Sequence, residues 1–254
     1  MTTITLAETP LLHAVLARAD DALVHAHRLS EWVGHAPMLE EDLALGNVAL
    51  DLLGQARSLY TYAAEVEGKG RTEDDLAYLR DAPSFRNLLL LEQPNGDFAQ
   101  TIVRLFLHSA VLHPFWRTAM GSSDATLAAI AAKAEKEVAY HLRHSAEWLI
   151  RLGDGTEESH RRAQEALDRL WRFTGEMFAP EDADLVARGV LPDPASLRPE
   201  WDATVARVLA EATLDRPKDG WMQQGGRRGV HTEPLGHMLA VMQHLQRAYP
   251  GATW

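Results

Sequence analysis

Apolar residues recur every three to four positions along most of the chain, and no stretch alternates apolar and polar residues for long enough to predict a strand. An α-helix places residues three and four positions apart on one face, so this pattern predicts an all-α protein. Four long helices are predicted, at about residues 10–33, 38–67, 97–119 and 124–152. Their order, with an extended connector between the second and the third, is typical of a four-helix bundle.

The residues after the fourth helix are predicted to form accessory helices at about residues 157–178, 199–214 and 232–249. Loops rich in proline, glycine and aspartate separate these helices. Because no stretch has the composition of a linker, we predict a single domain over residues 1–254, with the bundle core at about 10–152 and the accessory helices at about 157–254.

Charge and composition exclude several classes of function. Lys and Arg number 25 against 36 Asp and Glu, and the net charge of −11 repels a phosphate backbone, so we do not expect nucleic-acid binding. The chain contains no cysteine, which excludes disulfides, cysteine-ligated zinc, iron–sulfur clusters and thiol catalysis. The first lysine or arginine is Arg18, and the longest apolar stretch, residues 43–53, is too short to span a bilayer. We therefore predict a cytoplasmic protein without nucleic-acid or membrane partners.

The second predicted helix is apolar on almost every side, which predicts a central position in the bundle. Its polar residues fall on one narrow stripe, at Asn47, Asp51, Gln55 and Ser58. Asp51 would then be a carboxylate that faces the bundle interior. Because an unpaired buried charge is costly, the alternative is an ion pair between Asp51 and an arginine or lysine of a neighbouring helix.

A carboxylate-bridged di-iron centre in a ferritin-like bundle needs a Glu or Asp from each of two helices and a Glu-x-x-His motif from each of the other two. Asp21 and Asp51 are 30 positions apart, a separation suited to facing positions on two antiparallel helices. The histidine that should follow Asp51 by three positions is replaced by Gly54, which has no side chain to bind iron.

The second half of such a centre is also incomplete. If His141 is the histidine ligand, Val138 replaces the glutamate three positions earlier and Ser109 replaces the partner carboxylate. Taking Glu137 with His141 recovers one carboxylate, although Glu137 is also spaced for ordinary surface pairing with Lys133. The remaining set lacks the charge to neutralise two iron ions, so the sequence predicts a ferritin-like bundle without a working di-iron centre.

A glycine-rich basic loop, residues 225–233, precedes the last predicted helix. It carries Arg227 and Arg228 and includes Thr232, which is positioned as a helix cap. Arginines beside a helix N-terminus are a typical phosphate-binding arrangement, and two solvated arginines in a surface loop are the alternative. No Walker loop and no G-x-G-x-x-G, G-x-S-x-G or H-E-x-x-H motif indicates another catalytic chemistry.

Five sequence blocks resemble the C-subunit family of the bacterial ring-1,2-phenylacetyl-CoA epoxidases. In chain order they are LSEWVGHAPMLEEDLALGNVALDLLGQAR, NLLLLEQPNGDFAQTI, EVAYHLRHSAEWLIRLGDGT, LWRFTGEMF and GVHTEPLGHMLAVMQHLQRAYPGATW. Long ungapped blocks in a matching order are more specific than any single motif. The resemblance covers nearly the whole chain and is weakest over residues 1–11 and 182–197.

The resemblance implies a ferritin-like fold and a place in a multicomponent monooxygenase of phenylacetate breakdown. It implies that a related A subunit holds the di-iron centre and oxidises the ring, and that a reductase subunit supplies electrons from NADPH. The C subunit would be the non-catalytic structural partner of A, with no cofactor of its own. Asp21, Asp51, Glu137 and His141 would be remnants of a duplicated ancestral site.

The leading hypothesis is therefore a structural subunit that binds the A subunit through a helix-on-helix interface and has no oxygenase activity alone. In isolation, such a chain is a candidate to form a homodimer. A second hypothesis is a stand-alone ferritin-like metalloenzyme with one metal at the four remnant positions. A third adds substrate contact to the structural role, with Arg227 and Arg228 near the phosphates of coenzyme A.

Overall fold

The computed structural model describes residues 3–7 and 9–252, and this part of the chain contains α-helices and 3-10 turns but no β-strand. The all-α class predicted from the apolar periodicity is confirmed. The chain divides into two compact units. The first comprises the described residues within Met1–Val33, Leu43–Pro94 and Gly225–Trp254, and the second comprises Gly34–Asp42 and Asn95–Gln224.

In chain order the α-helices are α1 Pro10–Ser30, α2 Leu39–Glu67, α3 Glu73–Tyr78, α4 Leu89–Glu92, α5 Phe98–Ala119, α6 Ala125–Gly153, α7 Glu157–Trp171, α8 Ala183–Ala187, α9 Pro194–Glu211, α10 Glu233–Met242 and α11 His244–Ala248. Short 3-10 turns occupy Ala82–Ser84, Thr174–Phe178 and Gly226–Arg228. Helices α1, α3, α4, α10, α11 and residues 43–67 of α2 belong to the first unit, and α5 to α9 belong to the second.

The four long helices α1, α2, α5 and α6 lie where the sequence predicts them, and three of them begin at a local capping signal. The Thr9 hydroxyl accepts a hydrogen bond from the Leu12 amide, and Pro10 occupies the first turn of α1. Asp97 and Asp124 cap α5 and α6 in the same way. A cap acts over two or three residues, so the sequence alone indicates where such a helix begins.

The accessory helices differ from the prediction. Helix α9 begins at Pro194, five residues earlier than predicted, because Asp193 caps it and Pro199 is accommodated inside the helix. The predicted helix over residues 232–249 is divided at Gln243 into α10 and α11. The short helix α8 is not predicted by the apolar pattern.

In the first unit, α1 is buried along nearly its whole length and packs against α4. Residues 243–247 are hydrogen-bonded to the last turn of α3 and to the residues that follow it. The Gln243 side-chain amide donates to the carbonyl oxygens of Ala77 and Arg80, at 3.1 and 2.9 Å. The Arg247 guanidinium lies 2.8 Å from the Asp81 carboxylate and donates to the Tyr78 carbonyl.

In the second unit, α5 is the central helix and packs against α6, α7 and α9. The fully buried Trp201 of α9 donates its indole N–H to the Leu107 carbonyl at 3.1 Å. The single-domain organisation and the packing of the four long helices into one bundle stay predictions. Within residues 3–7 and 9–252, no helix combines the length and the apolar character needed to cross a membrane.

Candidate functional site

Two adjacent aspartates on α1 are each paired with an arginine from a distant part of the first unit. Asp20 is fully buried, and its carboxylate accepts hydrogen bonds from the Tyr60 hydroxyl, the Arg80 guanidinium and the Arg86 amide. The Arg80 guanidinium also lies over the Phe85 ring, 4.3 Å from its centroid. Burial, together with the charge of Asp20, raises the pKa of the Tyr60 phenol well above its ordinary value.

Asp21, a predicted remnant of a metal ligand set, is held by Arg227. The Arg227 Nη1 lies 2.9 Å from Asp21 Oδ1 and the Nη2 lies 2.6 Å from Oδ2, so the two side chains make a bidentate pair. The Leu88 amide donates to the same carboxylate at 2.8 Å. The charge of this buried carboxylate is therefore compensated by a guanidinium.

The two arginines of the glycine-rich loop have different environments. The Arg227 side chain is 15% exposed and also donates to the carbonyl oxygens of Ala17 and Arg86, whereas Arg228 is exposed to solvent. Gly229 has a φ of +75°, and a Cβ there would overlap the Pro83 carbonyl oxygen, so the loop packs closely on the 3-10 turn at 82–84. Contact of either arginine with coenzyme A stays a prediction, and Arg228 is the more accessible of the two.

The polar stripe of α2 does not face inward as a whole. Asn47 and Ser58 are exposed, Asp51 is half-buried and Gln55 is buried. The prediction that α2 is a central helix with this stripe inside is wrong for the exposed positions. The apolar periodicity predicts which helix faces are apolar, but it does not predict whether other residues of this chain bury those faces.

Residues 43–67 of α2, the part of this helix in the first unit, carry three exposed leucines, which we call the α2 leucine face. Leu43, Leu50 and Leu53 are 60%, 65% and 44% exposed. Their spacing of seven and three residues places them on one side of the helix. Leu53 also lines a cavity of about 280 Å³ together with Arg57 and Tyr78. These three leucines are among the large apolar side chains that the described part of the chain leaves exposed.

The remaining predicted positions lie in the second unit, with one exception. Glu137 of α6 lies 3.5 Å from the Lys133 ammonium, which is the surface pairing that the spacing allows. His141 is 1% exposed, and Val138 is fully buried on the same helix. Ser109 is buried on α5, which packs against α6. The exception is Gly54, which lies on α2 in the first unit. Asp21 of α1 and Asp51 of α2 also lie in the first unit.

A histidine–carboxylate pair in the second unit is not indicated by any motif in the sequence. His144 Nε2 lies 3.1 Å from Glu41 Oε2, with poor alignment for a hydrogen bond, and the Tyr140 ring stacks on the imidazole. Burial lowers the pKa of His144, and the nearby Glu41 carboxylate offsets only part of this effect. In the described part of the chain, no group of three or more His, Cys, Asp or Glu is placed to hold a metal ion.

A second buried pair, His231 with Glu92, also lies outside the predicted site positions. Glu92 is fully buried, and its carboxylate lies 2.8 Å from His231 Nδ1. The signal in the sequence is a lone carboxylate directly after four leucines, residues 88–91, because a charge in such a run needs a partner.

The chain is similar to known proteins over nearly its full length. A family model described as phenylacetic acid catabolic protein matches residues 2–254. The C subunit of the 1,2-phenylacetyl-CoA epoxidase of Escherichia coli (strain K12) is 51% identical over 241 residues, which cover 94% of this chain and 97% of that protein. The family is of the ferritin-like all-α class, which confirms the predicted class.

Proposed function

Because the chain belongs to the phenylacetic acid catabolic protein family, we propose that it is the non-catalytic structural subunit of a multicomponent phenylacetyl-CoA epoxidase. It binds and stabilises a separate catalytic A subunit, which holds the iron and oxidises the aromatic ring, while a reductase subunit supplies electrons from NADPH. The observation that carries this proposal is the 51% identity to an epoxidase C subunit across 94% of the chain.

The ion pairing of Asp21 supports a structural role. A metal ion at Asp21 would have to displace the Arg227 guanidinium, which already compensates the carboxylate charge at two points. Displacement would leave the largely buried Arg227 guanidinium without its carboxylate, and this cost opposes metal binding at Asp21.

We assign the contact with the A subunit to the α2 leucine face. Interfaces between helices bury rows of aliphatic side chains at helical spacing, and charged residues are depleted at their centre. Leu50 lies between Leu43 and Leu53 in the sequence and is the most exposed of the three, at 65%. A charge at position 50 would have to be desolvated on association.

The test measures the affinity of the purified chain for the separately purified A subunit, by calorimetry or by biolayer interferometry. We expect wild type to form a stable complex and Leu50→Glu to weaken it about tenfold or more. The matched control is Val241→Glu, which places the same charge at an apolar α10 position that is 81% exposed. Equal affinity of Leu50→Glu and Val241→Glu would remove the assignment to α2, and a wild-type chain that fails to bind the A subunit would overturn the structural-subunit proposal.

Metal analysis separates this proposal from a stand-alone ferritin-like metalloenzyme. We expect iron in the complex with the A subunit and only trace iron in the isolated chain. The alternative enzyme would hold one metal at Asp21, Asp51, Glu137 and His141, so it predicts stoichiometric iron in the isolated chain and its loss in His141→Ala. That pair of results would contradict the proposal.

We place the complex in the cytoplasm, a location that the absence of cysteine supports. Without the A subunit, the chain is either a monomer or a homodimer. Light scattering on the isolated chain distinguishes a monomer from a dimer.

A further inference from the structure

The carboxylate of Glu92, at the end of α4, is a buried anchor for the segment that leads into α10. Its Oε1 accepts hydrogen bonds from the Thr232 amide at 2.6 Å and from the Thr232 hydroxyl at 2.7 Å. Its Oε2 accepts from the Asn87 side-chain amide at 2.9 Å. A carboxyl group that accepts from this many donors is ionised.

His231 completes this anchor, and both of its ring nitrogens face acceptors. Nδ1 lies 2.8 Å from Glu92 Oε2, and Nε2 lies 3.0 Å from the Phe85 carbonyl oxygen. Neither oxygen has a proton to give, so both nitrogens must donate. Only the imidazolium form of histidine carries a proton on each nitrogen. Exchanging the two nitrogens by a ring flip leaves this conclusion unchanged.

The charges around His231 favour the same form. Burial by itself lowers the pKa of His231, but the hydrogen bond and the charge of Glu92 outweigh it, and the pKa is raised above its ordinary value of 6.5. Asp20 of α1 adds a further negative charge. Two guanidinium groups are cations beside the pair: Arg28 of α1 donates to the Glu92 backbone carbonyl at 2.8 Å, and Arg86 donates to the Phe85 carbonyl oxygen at 2.9 Å.

We propose that His231 is a proton-dependent latch that fastens residues 229–233, the stretch of the loop that leads into α10, to α4. The imidazolium holds the segment through Glu92 and the Phe85 carbonyl. When a water molecule or hydroxide ion takes one proton, one nitrogen presents a lone pair to an oxygen at hydrogen-bond distance. That contact becomes repulsive inside a buried site, and the segment loosens.

Residues 243–249, which include α11, are held by contacts of a different kind. Gln243 and Arg247 bind backbone carbonyls around α3, and these groups keep their charge state near neutral pH. Arg227, paired with Asp21, holds the start of the loop in either state, and Arg28 donates to the Pro234 carbonyl oxygen at 3.3 Å. Deprotonation of His231 therefore loosens residues 229–233, while residues 225–228 and α11 stay attached. Because the folded-state pKa is raised, the latch is fully closed below pH 6.5 and opens as the pH rises through the folded-state pKa.

The experiment is amide hydrogen exchange of the full chain, followed by mass spectrometry from pH 6 to pH 9 and corrected for the intrinsic exchange rate. In wild type, we expect protection of residues 229–233 to fall with rising pH, by about tenfold for each unit by which folding raises the pKa of His231. Residues 243–249 should keep their protection over the same range.

His231→Gln should exchange rapidly over 229–233 at every pH, because a glutamine side chain has one donor group and cannot gain a second by protonation. The control is His237→Gln, which changes an exposed histidine of α10 and should behave like wild type. Protection of 229–233 that is independent of pH in wild type would overturn the latch, and so would an unchanged pH dependence in His231→Gln. The wild-type pH series decides the matter by itself if His231→Gln does not fold.

Discussion

Arg227 and Asp21 form a two-point ion pair between residues that are 206 positions apart in the chain. The Asp21 side chain is 3% exposed and that of Arg227 is 15% exposed. From the sequence, one residue is a remnant metal ligand and the other is a candidate phosphate ligand. In the structure, each compensates the charge of the other and joins the loop before α10 to α1.

Removing the arginine should destabilise the protein strongly. Arg227→Ala removes the two-point partner of the buried Asp21 carboxylate and leaves the Arg18 guanidinium, 3.5 Å away, as its remaining cation. We expect a loss of about 1.5–3 kcal/mol in the free energy of unfolding. Urea denaturation at neutral pH measures this loss. Arg228→Ala, a change at the exposed neighbour, should stay within about 0.5 kcal/mol of wild type. Equal stability of the two variants would mean that the ion pair contributes no net stability.

The coenzyme A hypothesis makes a kinetic prediction for Arg228. If its guanidinium binds a phosphate of the thioester, Arg228→Ala in the reconstituted complex should raise KM for phenylacetyl-CoA by about tenfold and leave kcat unchanged, since one charge-assisted hydrogen bond is worth about 1.5 kcal/mol. Arg228→Lys should recover part of the loss. An unchanged KM in Arg228→Ala, and in a variant with both Arg227 and Arg228 replaced by alanine, would exclude the contact.

Two glycines should respond to alanine with opposite signs. A Cβ at Gly153, the last residue of α6, would overlap the carbonyl oxygen of Ala212, so Gly153→Ala should destabilise the protein by about 1–3 kcal/mol. A Cβ at Gly46, within α2, meets no atom within 4 Å. Gly46→Ala should therefore stabilise the isolated chain by about 0.5–1 kcal/mol through helix propensity. Thermal unfolding of both variants tests the contrast, and a shift of the same sign in both would contradict it.

His144 should contribute to the loss of stability in acid. Burial lowers its folded-state pKa, so below pH 6.5 the unfolded chain binds a proton that the folded chain does not, and stability falls as the pH falls. Replacing His144 with Gln should reduce the slope of unfolding free energy against pH by up to about 1.4 kcal/mol per pH unit. His237→Gln, at an exposed position, should leave the slope unchanged. Identical slopes in the two variants would contradict the assignment.

The predicted helices show how far local signals reach. The starts of α1, α5 and α6 follow from caps at Thr9, Asp97 and Asp124 that act within two or three residues. The apolar pattern predicts that α9 begins at Pro199, whereas it begins at Pro194. Either proline is compatible with the first turn of a helix, and the cap at Asp193 distinguishes them. The break at Gln243 coincides with hydrogen bonds to residues more than 160 positions away.

The sequence by itself determined the all-α class, the positions of the long helices and the family, because periodicity, caps and ungapped blocks are properties of the chain order. Tertiary structure decided which charges meet: Asp21 with Arg227, Asp20 with Arg80, and Glu92 with His231. It also decided that one side of α2 stays uncovered at Leu43, Leu50 and Leu53. Local pattern shows that a face is apolar or that a buried charge needs a partner, but the partner comes from a distant segment, and only folding brings the two together.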